Sequence, residues 1–483
     1  MKTQAFNPYL PSFEYIPDAE PHVFGDRVYI YGSHDKFDGI SFCLNDYVCW
    51  SAPINDLGDW RFEGYIYHKK QDAKKYHSFL NSMFAPDVVQ GNDGLFYLYY
   101  FIGYNSLISV AKSDKPQGPY DFLGYVKYKD GKTVGSKKEP LQFDPGVFKD
   151  DDGKIYLYTG FGPDKANIFM IGKKPTREGA MCFELEDDML TVKGDLSYIG
   201  VPANSLSKGT KYEGGHAFFE AASMRKFNNK YYFIYSSFLG HELCYAISDS
   251  PKGPFEYGGI LVSNGDIGLN NHKDQKTAGD FTGNTHGSVV EINGHYYVFY
   301  HRQTNRHQFS RQACAEEIFM DENGHFAQAE RTSCGLNGGP LLGKGTYEAR
   351  IACQIIAKGG NRFYGVTKPP KGKEPYLTQT GIDREDNPDQ YIANIQNGTY
   401  IGFKYFDFVD TKVVKIQIKG SAVGKVNIRD GYLGNIIGSI SINKSQNYQY
   451  FSSDEINVNG KSALYFEFVG SGKFDFKDFI FVA

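Results

Sequence analysis

The chain is poor in the features that mark several protein classes. Its 483 residues include only 2 Trp and 7 Cys. The cysteines (Cys43, Cys49, Cys182, Cys244, Cys314, Cys334 and Cys353) are odd in number, scattered and without a C-x-x-C pair. That argues against a disulfide framework and against a zinc site. Charge of one sign is also lacking: 52 basic against 56 acidic side chains leave a net −4, with no basic footprint for nucleic acid. No apolar run reaches the length of a membrane span. The N-terminal stretch MKTQAFNPYLPSFEYIPDAEP holds no apolar core of a signal peptide. The expectation is a reduced, cytoplasmic protein with neither nucleic acid nor membrane as partner. A secreted form lacking its leader would read the same way.

What is abundant is aromatic: 37 Tyr and 38 Phe. Most of them lie in strand-like alternation. The central stretch is HAFFEAASMRKFNNKYYFIYSS (216–237), two alternating apolar runs joined at Asn228–Asn229, a β-hairpin signature. Its second half recurs as GDRVYIYGS (25–33), DGLFYLYYF (93–101), DGKIYLYTG (152–160) and NGHYYVFYHR (293–302). Tyr29, Tyr97, Tyr156, Tyr232 and Tyr297 mark five units of roughly 65 residues, the length of a four-stranded propeller blade. A second echo, SDKPQGPYDF (113–122) against SDSPKGPFEY (248–257), places the same outer turn in two units. Asp-Asp-Asp-Gly at 150–153 looks like a calcium loop but reads as a hairpin turn.

Ten to twelve residues before each repeat tyrosine stand Asp18, Asp87, Asp144, Glu220 and His286. Innermost strands of a propeller line its central channel, so the shared offset predicts that these five side chains meet in one axial funnel. A carboxylate such as Glu220 inside an apolar run is costly unless it has partners or a task. His301 and His307 read as surface or supporting residues, whereas Arg311 lies on the alternating strand SRQACAEEIF. Past about residue 345 the hairpin repeat stops. VVKIQIKG (413–420), KVNIRD (425–430), GSISI (438–442), ALYFEFVG (463–470) and KFDFKDFIFVA (473–483) predict a β-sandwich. The expected organisation is all-β: a five-bladed propeller over 1–340, then a sandwich over 345–483.

At IPDAEPHVF (16–24), FAPDVV (84–89), FDPGVFKDDDGKIYLY (143–158), GHAFFEAASMRK (215–226), NTHGSVV (284–290) and SRQACAEE (310–317), the chain resembles glycoside hydrolase family 43, over roughly residues 7–330. The resemblance implies a five-bladed propeller and an inverting hydrolase of pentosides in plant hemicellulose: an α-L-arabinofuranosidase first, with β-D-xylosidase as alternative. It implies Asp18 as general base, Glu220 as general acid and Asp144 as tuner of the acid. His286 would lie near a channel metal or water cluster, with one calcium ion as the implied cofactor. Arg311 and Phe143 would meet the sugar. Asp87 has no fixed role in the family pattern and is carried as substrate-binding by its offset alone. The C-terminal part is similar to family 6 carbohydrate-binding modules. A retaining fructan hydrolase would show Asn-Asp-Pro-Asn-Gly and Arg-Asp-Pro motifs; this chain has Pro17-Asp18-Ala19 and Phe143-Asp144-Pro145 instead. A non-catalytic sugar-binding propeller is a third reading, which the three intact acids disfavour.

Inversion needs one protonated carboxyl to release the leaving oxygen and one ionised carboxyl to activate water, about 6.5–9.5 Å apart. Like-charge repulsion from Asp144 would keep Glu220 protonated.

Overall fold

The computed structural model describes residues 4–74, 81–103, 106–135, 139–165, 174–367, 372, 374–386 and 388–483. The described residues are all-β, with helix only as 3-10 turns of three residues. Each repeat tyrosine lies on the second strand of a sheet: Arg27–Tyr31, Phe96–Ile102, Ile155–Thr159, Lys230–Ser237 and His295–Thr304. The five sheets are antiparallel and run in chain order, with 4, 4, 4, 4 and 3 strands. Their first strands are Glu20–Phe24, Met83–Gln90, Gly146–Lys149, Phe218–Phe227 and Ser288–Ile292.

The alternation of aromatic and branched residues has a direct packing consequence. Successive side chains of a strand point to opposite faces, and here both faces are covered by neighbouring sheets. Tyr31 of the first sheet shares a core with Leu98 of the second, and Tyr99 of the second with Leu157 of the third. Tyr158 and Phe233 join the third sheet to the fourth, and Ile234 and Val298 the fourth to the fifth. Phe299 of the fifth sheet then packs with Ile30 of the first. The first strands follow the same order, each against the next and the fifth against the first. One side chain in such a layer matters: truncating fully buried Phe233 to Ala would remove ~3–5 kcal/mol.

The fifth sheet has three strands, and the N-terminal segment lies along its outer strand (His307–Ile318). Asn7 Nδ2 donates to the Ala315 carbonyl at 2.9 Å, and the Ala315 N–H donates back to Asn7 Oδ1 at 3.0 Å. An otherwise open edge is thereby covered. The two echoed outer turns match as well: Gly118 (φ +68°) and Gly253 (φ +78°) adopt the same left-handed conformation before the outermost strands of sheets two and four. Asp150–Gly153 is a hairpin turn, closed by the Gly153 N–H on the Asp150 carbonyl at 2.9 Å. All seven cysteines are free.

From Leu341 onward the strands build two six-stranded sheets around one apolar core, with Phe403, Phe466, Phe476 and Phe479 at its centre. The strands expected near the C-terminus are present as Val413–Gly420, Val423–Arg429, Ile436–Ile442, Gly460–Ser471 and Lys473–Val482. Tyr376–Gln379, Gln390–Gln396 and Tyr400–Phe408 are additional strands. This part packs closely on the sheets before it: Phe281 joins its core, and Arg302 donates to the carbonyls of Ala352 and Arg350 at 3.0 and 2.8 Å.

Candidate active site

A pocket of about 60 Å³ opens where the first strands converge, lined by Asp18, Asp144, Glu220, His286 and Arg311 together with Phe42, Cys43, Phe84, Phe143 and Asn284. The strand registers explain why. Glu20, Asp87, Gly146, Ser223 and Ser288 pair with Tyr31, Tyr99, Tyr158, Ile234 and Phe299, each two residues past its repeat tyrosine. They form one layer. Two residues earlier, one layer higher, stand Asp18, Asp144 and His286; in the second sheet an extra residue between Phe84 and Asp87 puts Phe84 at that level. In the fourth strand, irregular pairing between Phe218 and Ser223 and a left-handed Ala221 (φ +68°) bring Glu220 into the pocket. Asp18 (φ +60°) and Asp144 (φ +45°) are themselves left-handed. Such backbone is unfavourable for residues with a Cβ and gathers at functional sites.

Asp87 is therefore not a pocket residue, a correction to the shared-offset expectation. It pairs in the same layer as Glu20, one below Asp18, Asp144 and His286. It is fully buried, and its oxygens accept from His22 Nε2 at 2.7 Å and from the Val88 and Val147 N–H groups at 2.8 Å each. It is sealed off from the pocket. The pocket wall in the second sheet is Phe84, whose ring lies 5.0 Å from that of Phe143. Phe143 itself lines the pocket and also packs on Phe161 at 5.2 Å. Phe218 points into the core between sheets three and four, while Phe219 packs edge-on to Phe161.

Arg311 lines the pocket, and its guanidinium is bound to carboxylates there. Nη1 donates to Asp18 Oδ1 at 2.9 Å; Nε and Nη2 donate to Asp35 at 2.8 and 3.0 Å. A planar fork held by one carboxylate is well suited to orient another. His301 is not a surface residue: it is fully buried. Its Nδ1 accepts the Asp18 backbone N–H at 3.3 Å, so the ring proton is on Nε2, 2.8 Å from the Asn284 carbonyl. Burial, then the Arg311 charge, push its pKa down to about 3, so the ring is neutral. His307 is buried as well, accepting the Phe309 N–H at 2.9 Å. Sequence reading missed Asp35, Phe42, Phe84, Asn284 and Glu20. Of these only Glu20 carried a signal, as the first-sheet equivalent of Asp87.

The carboxyls differ in state. Burial pushes Asp18 upward, but the charges of Arg311 and His286 outweigh it and hold the group below the usual carboxylate range. Glu220 is raised to about 8, by burial first and then by the negative charge of Asp144. Asp144 is raised too, by burial, against the pull of His286. Burial would neutralise His286, yet its ring lies 3.6 Å from Asp144 and 3.7 Å from Glu20, and these carboxylates keep it cationic well above its ordinary range.

Both ring nitrogens of His286, the residue expected near a metal, face carboxylates: Nδ1 toward Asp144 and Nε2 toward Glu20. Beneath the pocket, Glu20, His22 and Asp87 offer donor atoms within 4.8 Å of one another, but Arg225 Nη2 already lies 2.6 Å from Glu20 Oε2. That guanidinium supplies the cation a metal would have brought.

One ionised and one protonated carboxyl in a shared pocket is the equipment for acid–base cleavage of a glycosidic bond. The molecule belongs to the glycoside hydrolases. The model of Glycosyl hydrolases family 43 matches residues 7–326, and the chain belongs to that family. It is 46% identical over 481 residues, 99% of both chains, to a xylosidase/arabinosidase of Thermoclostridium stercorarium. It is 27% identical to an arabinoxylan arabinofuranohydrolase of Paenibacillus polymyxa, covering 96% of this chain and 72% of that one. Among solved structures, the Bacillus subtilis arabinoxylan arabinofuranohydrolase in complex with cellotetraose shares the fold over 98% of this chain and 96% of its own, with TM-score 0.51 and 22% identity. A family 43 β-xylosidase/α-arabinofuranosidase from a compost metagenome, in complex with xylotriose and in calcium-free form, covers 68% of this chain and 98% of its own, with TM-score 0.52 and 25% identity.

Proposed function

We propose that this enzyme is an inverting exo-glycosidase that releases a terminal pentose, α-L-arabinofuranose first, from hemicellulose or its oligosaccharides. The observation that carries the reading is one pocket that holds Asp18, paired with Arg311, together with Glu220 and Asp144; Arg311 holds Asp18 low while burial and the Asp144 charge raise Glu220. Glu220 donates its proton to the leaving oxygen as the anomeric carbon–oxygen bond breaks. Asp18 takes a proton from the water whose oxygen attacks that carbon from the opposite face. Asp144 keeps Glu220 protonated by its charge, and His286 holds Asp144 in place. Arg311 and His301 fix Asp18, one through its carboxylate and one through its backbone. Phe42, Phe84 and Phe143 wall a pocket small enough to favour one sugar residue over a bound chain. The names of the relatives cover both arabinosidase and xylosidase activity, so β-D-xyloside hydrolysis is the second reading.

In architecture, the five sheets read as blades of a propeller over residues 1–340, because five apolar cores follow one another around the first strands. The two C-terminal sheets read as a sandwich over 345–483, similar to a carbohydrate-binding module. Tyr391, Tyr448 and exposed Tyr450 on its outer sheet, with Lys419 Nζ 4.5 Å from the Tyr448 ring centre, form a face suited to sugar stacking. Turnover of 4-nitrophenyl α-L-arabinofuranoside and β-D-xyloside side by side, with NMR of the first-formed anomer, tests the function. Faster arabinofuranoside cleavage with inverted product is expected. No turnover of either, or retained configuration, would overturn the reading.

A further inference from the structure

We propose that Asp383 and Arg384, in the C-terminal part of the chain, are positioning residues for the catalytic base, so that the site is completed by residues outside the five sheets. This rests on Asp18 being the base.

The link runs through the loop His34–Asn45. Two of its residues reach the pocket directly: Phe42 and Cys43 line it. A third, Asp35, is fully buried and takes the Arg311 backbone N–H at 3.0 Å as well as the two guanidinium bonds. The geometry of Arg311, and through it that of the Asp18 carboxylate, is therefore set by where this loop places Asp35. The loop is not a strand of any sheet, and a loop takes its precision from what it is tied to.

Asp383 ties both of its arms. Oδ1 accepts the Phe37 N–H at 2.6 Å, and Oδ2 accepts Asn45 Nδ2 at 3.0 Å. That same Asn45 nitrogen donates to the Asp35 carbonyl at 3.0 Å. Arg384 ties the entry to the loop. Its Nη1 donates to His34 Nε2 at 2.8 Å and is paired with Glu14. His34 can accept because its proton is on Nδ1, 2.8 Å from the Asp46 carbonyl, and because burial and the Arg384 charge push its pKa down to about 3. Two consecutive residues thus grip the loop at His34, Phe37 and Asn45, on either side of the residue that holds Arg311. Tyr15 adds a parallel tie, its hydroxyl donating to Gln379 Oε1 at 2.5 Å while its carbonyl accepts the Asp35 N–H at 2.9 Å.

Loosening this grip has a chemical signature. The charged and titratable groups facing Asp18 are Arg311, His286, neutral His301, Asp144, Glu220, and the Cys43 thiol and Tyr47 phenol, both kept neutral by burial. Of the charged ones only Arg311 is held by the gripped loop. If Asp35 drifts, Arg311 holds Asp18 less firmly, and the base becomes harder to ionise.

The test is Asp383→Ala in the full-length enzyme, assayed on the aryl pentoside across pH. A displacement of the base by a fraction of an ångström to an ångström lowers kcat by about ten- to a hundred-fold, with KM changed less. The acidic limb of kcat/KM moves to higher pH. Asp383→Asn, which keeps one acceptor oxygen, is expected to fall between Asp383→Ala and the parent, and serves if the alanine variant folds poorly. Ile440→Ala, deep in the C-terminal core, controls for loss of stability: it lowers Tm but leaves the acidic limb in place. A parental kcat and acidic limb in both Asp383 variants, or the same limb shift in Ile440→Ala, would overturn the proposal. Asp18→Asn is measured alongside. If it stays active, the base assignment has failed; if it is inactive while Asp383→Ala behaves as the parent, only the positioning role has failed.

Discussion

Replacing the acid should make the protein more stable, and the gain should depend on pH in a way only a raised carboxyl produces. Glu220 has an ordinary value of 4.5 and is raised to about 8 in the fold. A carboxyl whose folded pKa lies above its unfolded one costs nothing below the unfolded value. The cost then grows as pH rises and levels off once the folded value is passed. Between 4.5 and 8 the gap corresponds at pH 7 to on the order of 3 kcal/mol. Because Glu220 is half-buried rather than sealed, solvent screening makes that an upper bound. Glu220→Gln keeps the shape and removes the titration. At about 2–4 °C per kcal/mol for a 150–250-residue domain, and less for a longer one, the expected gain in Tm is a few degrees near pH 7–8. It should shrink steadily on acidification and vanish near pH 4. Thermal melts of parent and variant in matched buffers from pH 4 to 8.5 measure it. A gain constant across pH would mean that packing is responsible. A loss at pH 8 would refute the raised pKa and, with it, the assignment of Glu220 as the proton donor. Activity should move oppositely: the variant should lose about 10²–10⁴-fold on substrates with basic leaving groups and far less on activated aryl glycosides.

Three further outcomes follow from the same geometry. Asp144→Asn removes the like charge beside Glu220, so the alkaline limb of the kcat profile should move to lower pH; burial is the larger cause, so it should not fall all the way to an ordinary carboxyl, and an unmoved limb would show that Asp144 does not act on the acid. Asp18→Asn should slow activated and unactivated substrates alike, by about 10²–10⁴-fold, because water must be activated whatever leaves; a leaving-group dependence like that of Glu220→Gln would exchange or dissolve the two roles. Exhaustive chelation should leave kcat and Tm unchanged, since Arg225 already pairs with Glu20 and His22 with Asp87; activity lost on chelation and restored by calcium would show that an ion belongs beside these groups.

How much of this was legible in the sequence depends on which physical rule fixes each residue. The sheets were legible because strand alternation and turn residues are local. The repeat tyrosines fall on the second strand of every one of the five sheets. Asp18, Asp144 and His286 were legible because each stands two residues before its first strand's residue in the layer below, and Glu220 because it is an acid inside an apolar run at a similar offset. The shared offset misled at Asp87, since it does not fix depth. The offset of 10 residues rather than 11 or 12 was the one local sign that Asp87 belonged with Glu20, a layer below the acid and base. Irregular backbone was not legible at all: the break in pairing around Glu220 and the left-handed Asp18 and Asp144 are imposed by neighbours on other sheets.

Least legible were the residues that matter through others. Asp35, His301 and Asp383 lie at positions whose local sequence reads as loop or surface. Their meaning comes from separations of 276, 283 and 346 residues along the chain, to Arg311, Asp18 and Phe37 respectively. No window of sequence contains both ends of such a bond. A buried arginine near a pocket of carboxylates can meet a sugar, hold a carboxylate or do both, and the location of Asp35 shows the second use. With Asp35 accepting three donors from Arg311, one of them its backbone N–H, the guanidinium is held firmly enough to keep the Asp18 carboxylate at one angle. Catalysis gains from that, because a base need not be strong if the water it activates is held in line. Phe42, Phe84 and Phe143, from three different loops and strands, wall the same pocket.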